Sequence, residues 1–155
     1  MIKMVKIFFG FSLLNIIVHA NDFIDLTYYQ KFDRGIELYQ QGRFNLAEDL
    51  FTDILKNDRE YQDPAAQLLM AKCQYNLKMF DKAQQSCRSL LTNYPNCPYE
   101  MDALILMGDI FLEQGRTTNA FKHYINARPM IDDLLYLNVI DKRIYNCIGI
   151  GIRER

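Results

Sequence analysis

The sequence predicts an all-α protein, a solenoid of about three helical hairpins plus a C-terminal helix. Two observations carry that expectation. Small residues recur at Gly35, Ala71 and Gly108, and again at Ala47, Ala83 and Ala120, so each series returns after 36 and then 37 residues. Helix-breaking residues fall between the copies, at Asp63-Pro64, at Asn93-Tyr94-Pro95-Asn96-Cys97-Pro98 and at Pro129. A period of that length marks a repeat architecture, in which each unit buries its apolar face against the next.

Composition agrees. Half of the 155 residues are hydrophobic and 13% are aromatic, with only 7 glycines and 4 prolines. That is enough apolar content to fill a core, and too few chain breakers for a disordered segment. The formal net charge of −1 and the absence of any Lys/Arg run argue against nucleic acid as a partner.

The first twenty residues differ from the rest. Lys3 and Lys6 lead an apolar run from Ile7 to Val18, which ends at Val18-His19-Ala20 before the polar Asn21-Asp22. This is the layout of a secretory signal peptide, so residues 1–20 are expected to be removed near Ala20. The run is shorter than the roughly 20 apolar residues that a spanning helix needs. The expectation is therefore a mature chain with no membrane span, periplasmic or secreted.

Three segments then align: FDRGIELYQQGRFNLAEDLFTDIL (32–55), LLMAKCQYNLKMFDKAQQSCRSLL (68–91) and ILMGDIFLEQGRTTNAFKHYINAR (105–128). Within residues 21–134 the repeats are expected at about 28–63, 64–98 and 99–134. Gly35, Ala71 and Gly108 fall on the first helix of each hairpin, and Ala47, Ala83 and Ala120 on the second. Small side chains there let the two helices approach closely. Phe51, Cys87 and Tyr124 follow four residues after each alanine. The turns are Gly42-Arg43-Phe44, Lys78-Met79-Phe80 and Gly115-Arg116-Thr117, two of them with the glycine favoured past a helix end. Pro64 suits the first turn of a helix, and Asp81 is placed as an N-cap for the second helix of repeat two. Residues 135–155 read as a C-terminal helix, capping the stack or starting a further repeat, with an apolar, glycine-broken end at Ile148-Gly149-Ile150-Gly151-Ile152.

These turn and second-helix segments resemble the tetratricopeptide repeat (TPR) family over roughly residues 28–134. The family's large apolar residue near the start of the first helix is replaced by Lys31, Gln67 and Leu104; the turn aromatic is missing at Thr117, and the closing proline appears only at Pro95. The resemblance implies a right-handed TPR-like α-solenoid that binds a protein or peptide. With the signal segment included, the sequence is similar to bacterial periplasmic TPR proteins of cell-envelope assembly.

Nothing in the sequence points to catalysis, to a cofactor or to a metal. His123 stands alone in the mature chain, and no HExxH, GxSxG, P-loop or GxGxxG motif occurs. Cys73, Cys87, Cys97 and Cys147 match no metal spacing. An exported chain allows a disulfide between Cys73 and Cys87, on the two helices of one hairpin. The other reading is that both pack as small hydrophobes.

Binding surface is what remains. Side chains one and four residues beyond the small position lie on the inner flank of each first helix: Ile36 and Tyr39, Lys72 and Tyr75, Asp109 and Leu112. In the resembling family such positions meet a peptide. Tyr39 and Tyr75 are the expected anchors, and Asn76 and Glu113 are candidates to hydrogen-bond an extended backbone. The leading expectation is a non-catalytic scaffold of envelope assembly or maintenance. Its alternative is the N-terminal recognition module of a larger protein, such as an envelope enzyme regulator or solute-binding protein. Self-association through the C-terminal helix is a further expectation.

Overall fold

The computed structural model describes residues 27–57 and 63–153. The expected signal segment and its cleavage point lie outside the described residues. All regular structure among the described residues is helical, in the order α1 (Tyr28–Gln40), α2 (Phe44–Asn57), α3 (Pro64–Asn76), α4 (Phe80–Asn93), α5 (Glu100–Glu113), α6 (Thr117–Ala127), a short 3₁₀ turn (Arg128–Met130) and α7 (Leu134–Arg153). Neighbouring helices pair in chain order. The fold is therefore the predicted all-α stack of three hairpins followed by one more helix.

The three hairpin turns share one mechanism. In each, the residue past the first helix takes the left-handed conformation: Gly42 at φ 74°, Lys78 at 61° and Gly115 at 70°. Its N–H donates to the carbonyl of Tyr39, Tyr75 or Leu112, and the next N–H reaches back to Leu38, Gln74 or Phe111. This double closure satisfies two carbonyls that a helix end otherwise leaves bare. At α3 the chain starts on Asp63, whose side chain accepts from the Ala65 N–H at 2.7 Å, with Pro64 in the first turn. Asp81 does not cap α4: that helix begins one residue earlier, at Phe80, so Asp81 sits in its first turn and faces the helix dipole instead.

Small residues set the spacing of each hairpin. Ala47, Ala83 and Ala120 are fully buried. Gly35 lies flat on the ring of Phe51, and Gly108 on the ring of Tyr124. In the second hairpin Ala71 is paired with the smaller Cys87, and both are fully buried in one cluster. The larger of the two residues shrinks where the smaller one grows.

Positions Lys31, Gln67 and Leu104 are all buried, at 8%, 8% and 9% exposure. Each meets the requirement differently. Lys31 pairs with Asp53 on α2 at 2.6 Å, Gln67 donates to the Ser86 carbonyl on α4 at 3.2 Å, and Leu104 packs as an apolar residue. A buried cation or amide is tolerated because each has its partner.

The core divides in two. One cluster gathers Leu38, Ala47, Leu50, Phe51 and Ile54 with Ala66 and Cys73 of α3. The other runs from Leu68 and Ala71 through α4, α5 and α6 to Ile140, Ile144 and Cys147 of α7. A polar triad lies where α2, α3 and α4 meet: Gln74 donates to Glu48 at 2.9 Å and accepts from the Ser86 hydroxyl at 2.7 Å. Cys73 and Cys87 consequently belong to different clusters and both are free thiols, so the disulfide reading is corrected. Burial first, and the Glu48 carboxylate second, push the Cys73 thiol up to about 12; burial, partly opposed by Lys72, brings Cys87 to about 12.

The C-terminal segment is one continuous helix through Gly149, not a glycine-broken end. Its inner side is buried against the stack, while Leu134, Leu135, Tyr145 and Ile148 stay exposed. No helix among the described residues is long and apolar enough to cross a membrane.

Candidate interaction face

The first helices of successive hairpins, α1, α3 and α5, stand side by side with α7, and their side chains bridge from one to the next. Asn76 of α3 donates to the Tyr39 hydroxyl of α1 at 3.4 Å. The Tyr75 hydroxyl of α3 donates to Glu113 of α5 at 3.5 Å. Lys72 pairs with Asp102 at 3.2 Å, and Arg143 of α7 pairs with Asp109 of α5. These bridges place six of the eight predicted groove residues on one continuous face. Ile36 and Leu112 are half-buried, the first against the N-terminal core and the second against the C-terminal core.

Rigid aromatic contacts hold the two tyrosines. Tyr39 meets Phe44 edge-on with ring centroids 5.3 Å apart, and Tyr75 meets Phe80 at 6.0 Å. Each Phe opens the second helix of the same hairpin, so the turn fixes the tyrosine above it. Lys78 lies over both the Tyr75 and Phe80 rings, at 5.6 and 5.7 Å. The third repeat has Leu112 and Thr117 at these places and presents a plainer aliphatic surface.

Asp109 links three helices. It accepts from the Tyr124 hydroxyl at 2.7 Å and from Arg143, tying both helices of the third hairpin to α7. Tyr75 and Tyr136 share this environment. Burial raises both phenols above their usual range; Asp109 and Glu113 add to the shift at Tyr75, Asp102 and Asp109 at Tyr136, and Arg143 opposes it at both. Both tyrosines therefore stay protonated donors at neutral pH.

Sequence reasoning missed Asp102, Arg143, Tyr136 and Lys78. Arg143 lies 34 residues after Asp109, short of the 36 and 37 that separate the repeats, so the register carried into α7 points to Tyr145 and Asn146 instead. The remaining three are not at inner-flank positions of the repeat and become visible only once the helices are placed.

The face holds no nucleophile–base pair. The Cys73 and Cys87 thiols are protonated at neutral pH, and His123 lies on α6, a second helix, stacked on Phe111 with centroids 5.2 Å apart. Two open cavities, of about 290 Å³ beside Cys97 and Met130 and about 350 Å³ beside Gly115 and Thr117, lie at the connections. Among the described residues no group of three or more His, Cys, Asp and Glu side chains is arranged to hold a metal. What the face offers is broad, half-buried aromatic and aliphatic surface with amide, phenol and carboxylate groups.

Residues 38–105 match the tetratricopeptide repeat family. No curated protein matches the chain. Among solved structures the fold is similar to PcrH in complex with the chaperone binding region of PopD, at 17% identity and a TM-score of 0.68, covering 84% of this chain and 98% of that one. It is also similar to the Yersinia enterocolitica type III secretion chaperone SycD in complex with a peptide of the translocator YopD, at 16% identity and a TM-score of 0.67, covering 82% and 94%. PcrH from Pseudomonas aeruginosa gives 18% identity and a TM-score of 0.65, covering 80% and 91%. The likeness to PcrH and to the type III secretion chaperone SycD is one of fold. Taken with the repeat match, it makes this chain a helical-repeat protein with a tetratricopeptide-type solenoid fold.

Proposed function

We propose that this protein is a non-catalytic scaffold whose first-helix face holds an extended segment of a partner protein. One observation carries the reading: Tyr39, Tyr75 and Leu112 recur at equivalent positions of three repeats, half-exposed on one surface and locked from behind by the hairpin turns. Half-exposed, pre-positioned aromatic side chains supply contact area at small entropic cost. One structure of similar fold was solved with the chaperone binding region of PopD and another with a peptide of the translocator YopD, which supports a peptide as the occupant.

We further propose that residues 1–20 direct export and that the bound protein belongs to the cell envelope. The support is the basic lead, the short apolar run and the small residue at Ala20.

Photo-crosslinking tests the first reading. A benzophenone amino acid at position 75, and a control at the outward-facing position 122, would be exposed to proteins of the producing cell. Crosslinking at 75 and not at 122, with the target mapped to one short segment, is the expected result. Equal yields at both positions would sink it. N-terminal sequencing of the exported protein tests the second, with Asn21 as the expected first residue.

A further inference from the structure

The predicted groove holds three charged residues, Lys72, Asp109 and Glu113, and each already has an opposite charge beside it. Lys72 pairs with Asp102 at 3.2 Å, Asp109 with Arg143, and Glu113 with Lys78 at 3.8 Å. Every pair joins separate elements: α3 to α5, α5 to α7, and α5 to the turn after α3. All six side chains keep part of their surface in water, from 24% for Asp109 to 64% for Lys78. The pairs are therefore accessible to an incoming segment and summed over the face they cancel.

We infer that this face selects an uncharged segment, with apolar or aromatic anchors, and discriminates against segments carrying Asp, Glu, Lys or Arg at the contacting positions. The inference rests on the peptide-binding reading above. An entering carboxylate that engaged Lys72 would take it from Asp102 and leave that carboxylate unpaired under the peptide. An entering cation that engaged Asp109 would displace Arg143 in the same way. Either exchange trades one ion pair for another and adds a desolvated, unpartnered charge. An uncharged segment leaves all three pairs intact and gains contact with Ile36, Tyr39, Tyr75 and Leu112, with Asn76 placed to meet its backbone. Discrimination then comes from the penalty on the wrong partner as much as from attraction to the right one.

The test uses the full chain and random peptides displayed on phage. The expected selection is depleted in all four charged residues, and the affinity of a selected peptide changes less than about threefold between roughly 50 and 300 mM salt. Asp102→Asn leaves Lys72 without its partner. A peptide variant with one Glu, bound at least about tenfold more weakly by the wild type, is expected to regain most of that loss with this variant. Selection of charged peptides, a steep salt dependence, or no regain with Asp102→Asn overturns the inference. Peptide binding that survives those results, and is lost with Tyr39→Ala/Tyr75→Ala in a chain that keeps its helical circular dichroism, leaves the peptide-binding reading standing alone. Failure to enrich any peptide overturns both.

Discussion

Gly35 and Phe51 are in contact so close that a β-carbon on residue 35 would stand 2.7 Å from two carbons of the ring. Real side chains do not approach to that distance, so an alanine here forces the ring or the helix to shift. Gly35→Ala is expected to cost about 1–3 kcal/mol by overpacking. With Phe51→Cys in place, which copies the Ala71 and Cys87 arrangement of the second hairpin, the same change should cost little or nothing. Urea unfolding of the four proteins in that cycle checks this, and additive effects would contradict it.

Lys78 occupies the left-handed position that glycine fills at the other two turns. A side chain there costs roughly 1–2 kcal/mol in backbone strain. Lys78→Gly also gives up an exposed pair with Glu113, worth about 0–1 kcal/mol. The change also gives up the contacts over the Tyr75 and Phe80 rings, worth about 0.5–1 kcal/mol at an exposed site. Stability read from urea unfolding is therefore expected to stay within about 1 kcal/mol of the parent, and a loss above about 2 kcal/mol would contradict the strain at this turn.

Asp109 accepts from both Tyr124 and Arg143. Asp109→Ala leaves a buried phenol and a half-buried guanidinium without their acceptor, at a cost of about 2–4 kcal/mol. Hydrogen exchange should show the loss concentrated in α6 and α7, with α1 and α2 barely affected.

Burial lifts the Cys73 and Cys87 thiols from 9.0 to about 12. Because the folded values lie above the unfolded one, this contribution to stability is fully present below pH 9 and is lost as pH rises toward 12. The native protein is expected to expose Cys97, the half-buried thiol, to a thiol reagent at pH 8, while Cys73 and Cys87 react only in denaturant. Fast labelling of Cys87 in the native protein would contradict this.

The all-helical stack was legible because its causes are local and repeated. Ala47, Ala83 and Ala120 fixed the register, and a matching small residue on each first helix had no reason to recur except to meet a neighbour. Lys31 and Gln67 read as departures from the family pattern, yet they are buried like Leu104, since partners on other helices satisfy them. No sequence rule announces those partners. The face was legible in its anchors, which follow the repeat, and illegible in its ion pairs, which join residues about 30 apart on different helices. Spacing leaves Cys73 and Cys87 open between a bridge and separate packing, because it does not tell that two residues on one hairpin belong to different clusters.

The polar triad of Glu48, Gln74 and Ser86 at the meeting of α2, α3 and α4 gives the stack a preferred place to come apart. In a linear array each unit is held only by its neighbours, so cooperativity is as strong as the weakest junction. Hydrogen-bonded amides lose less on meeting water than apolar contacts do. The first hairpin is thus expected to fray while the rest stays folded, and a denaturation curve followed at α1 should precede one followed at α6.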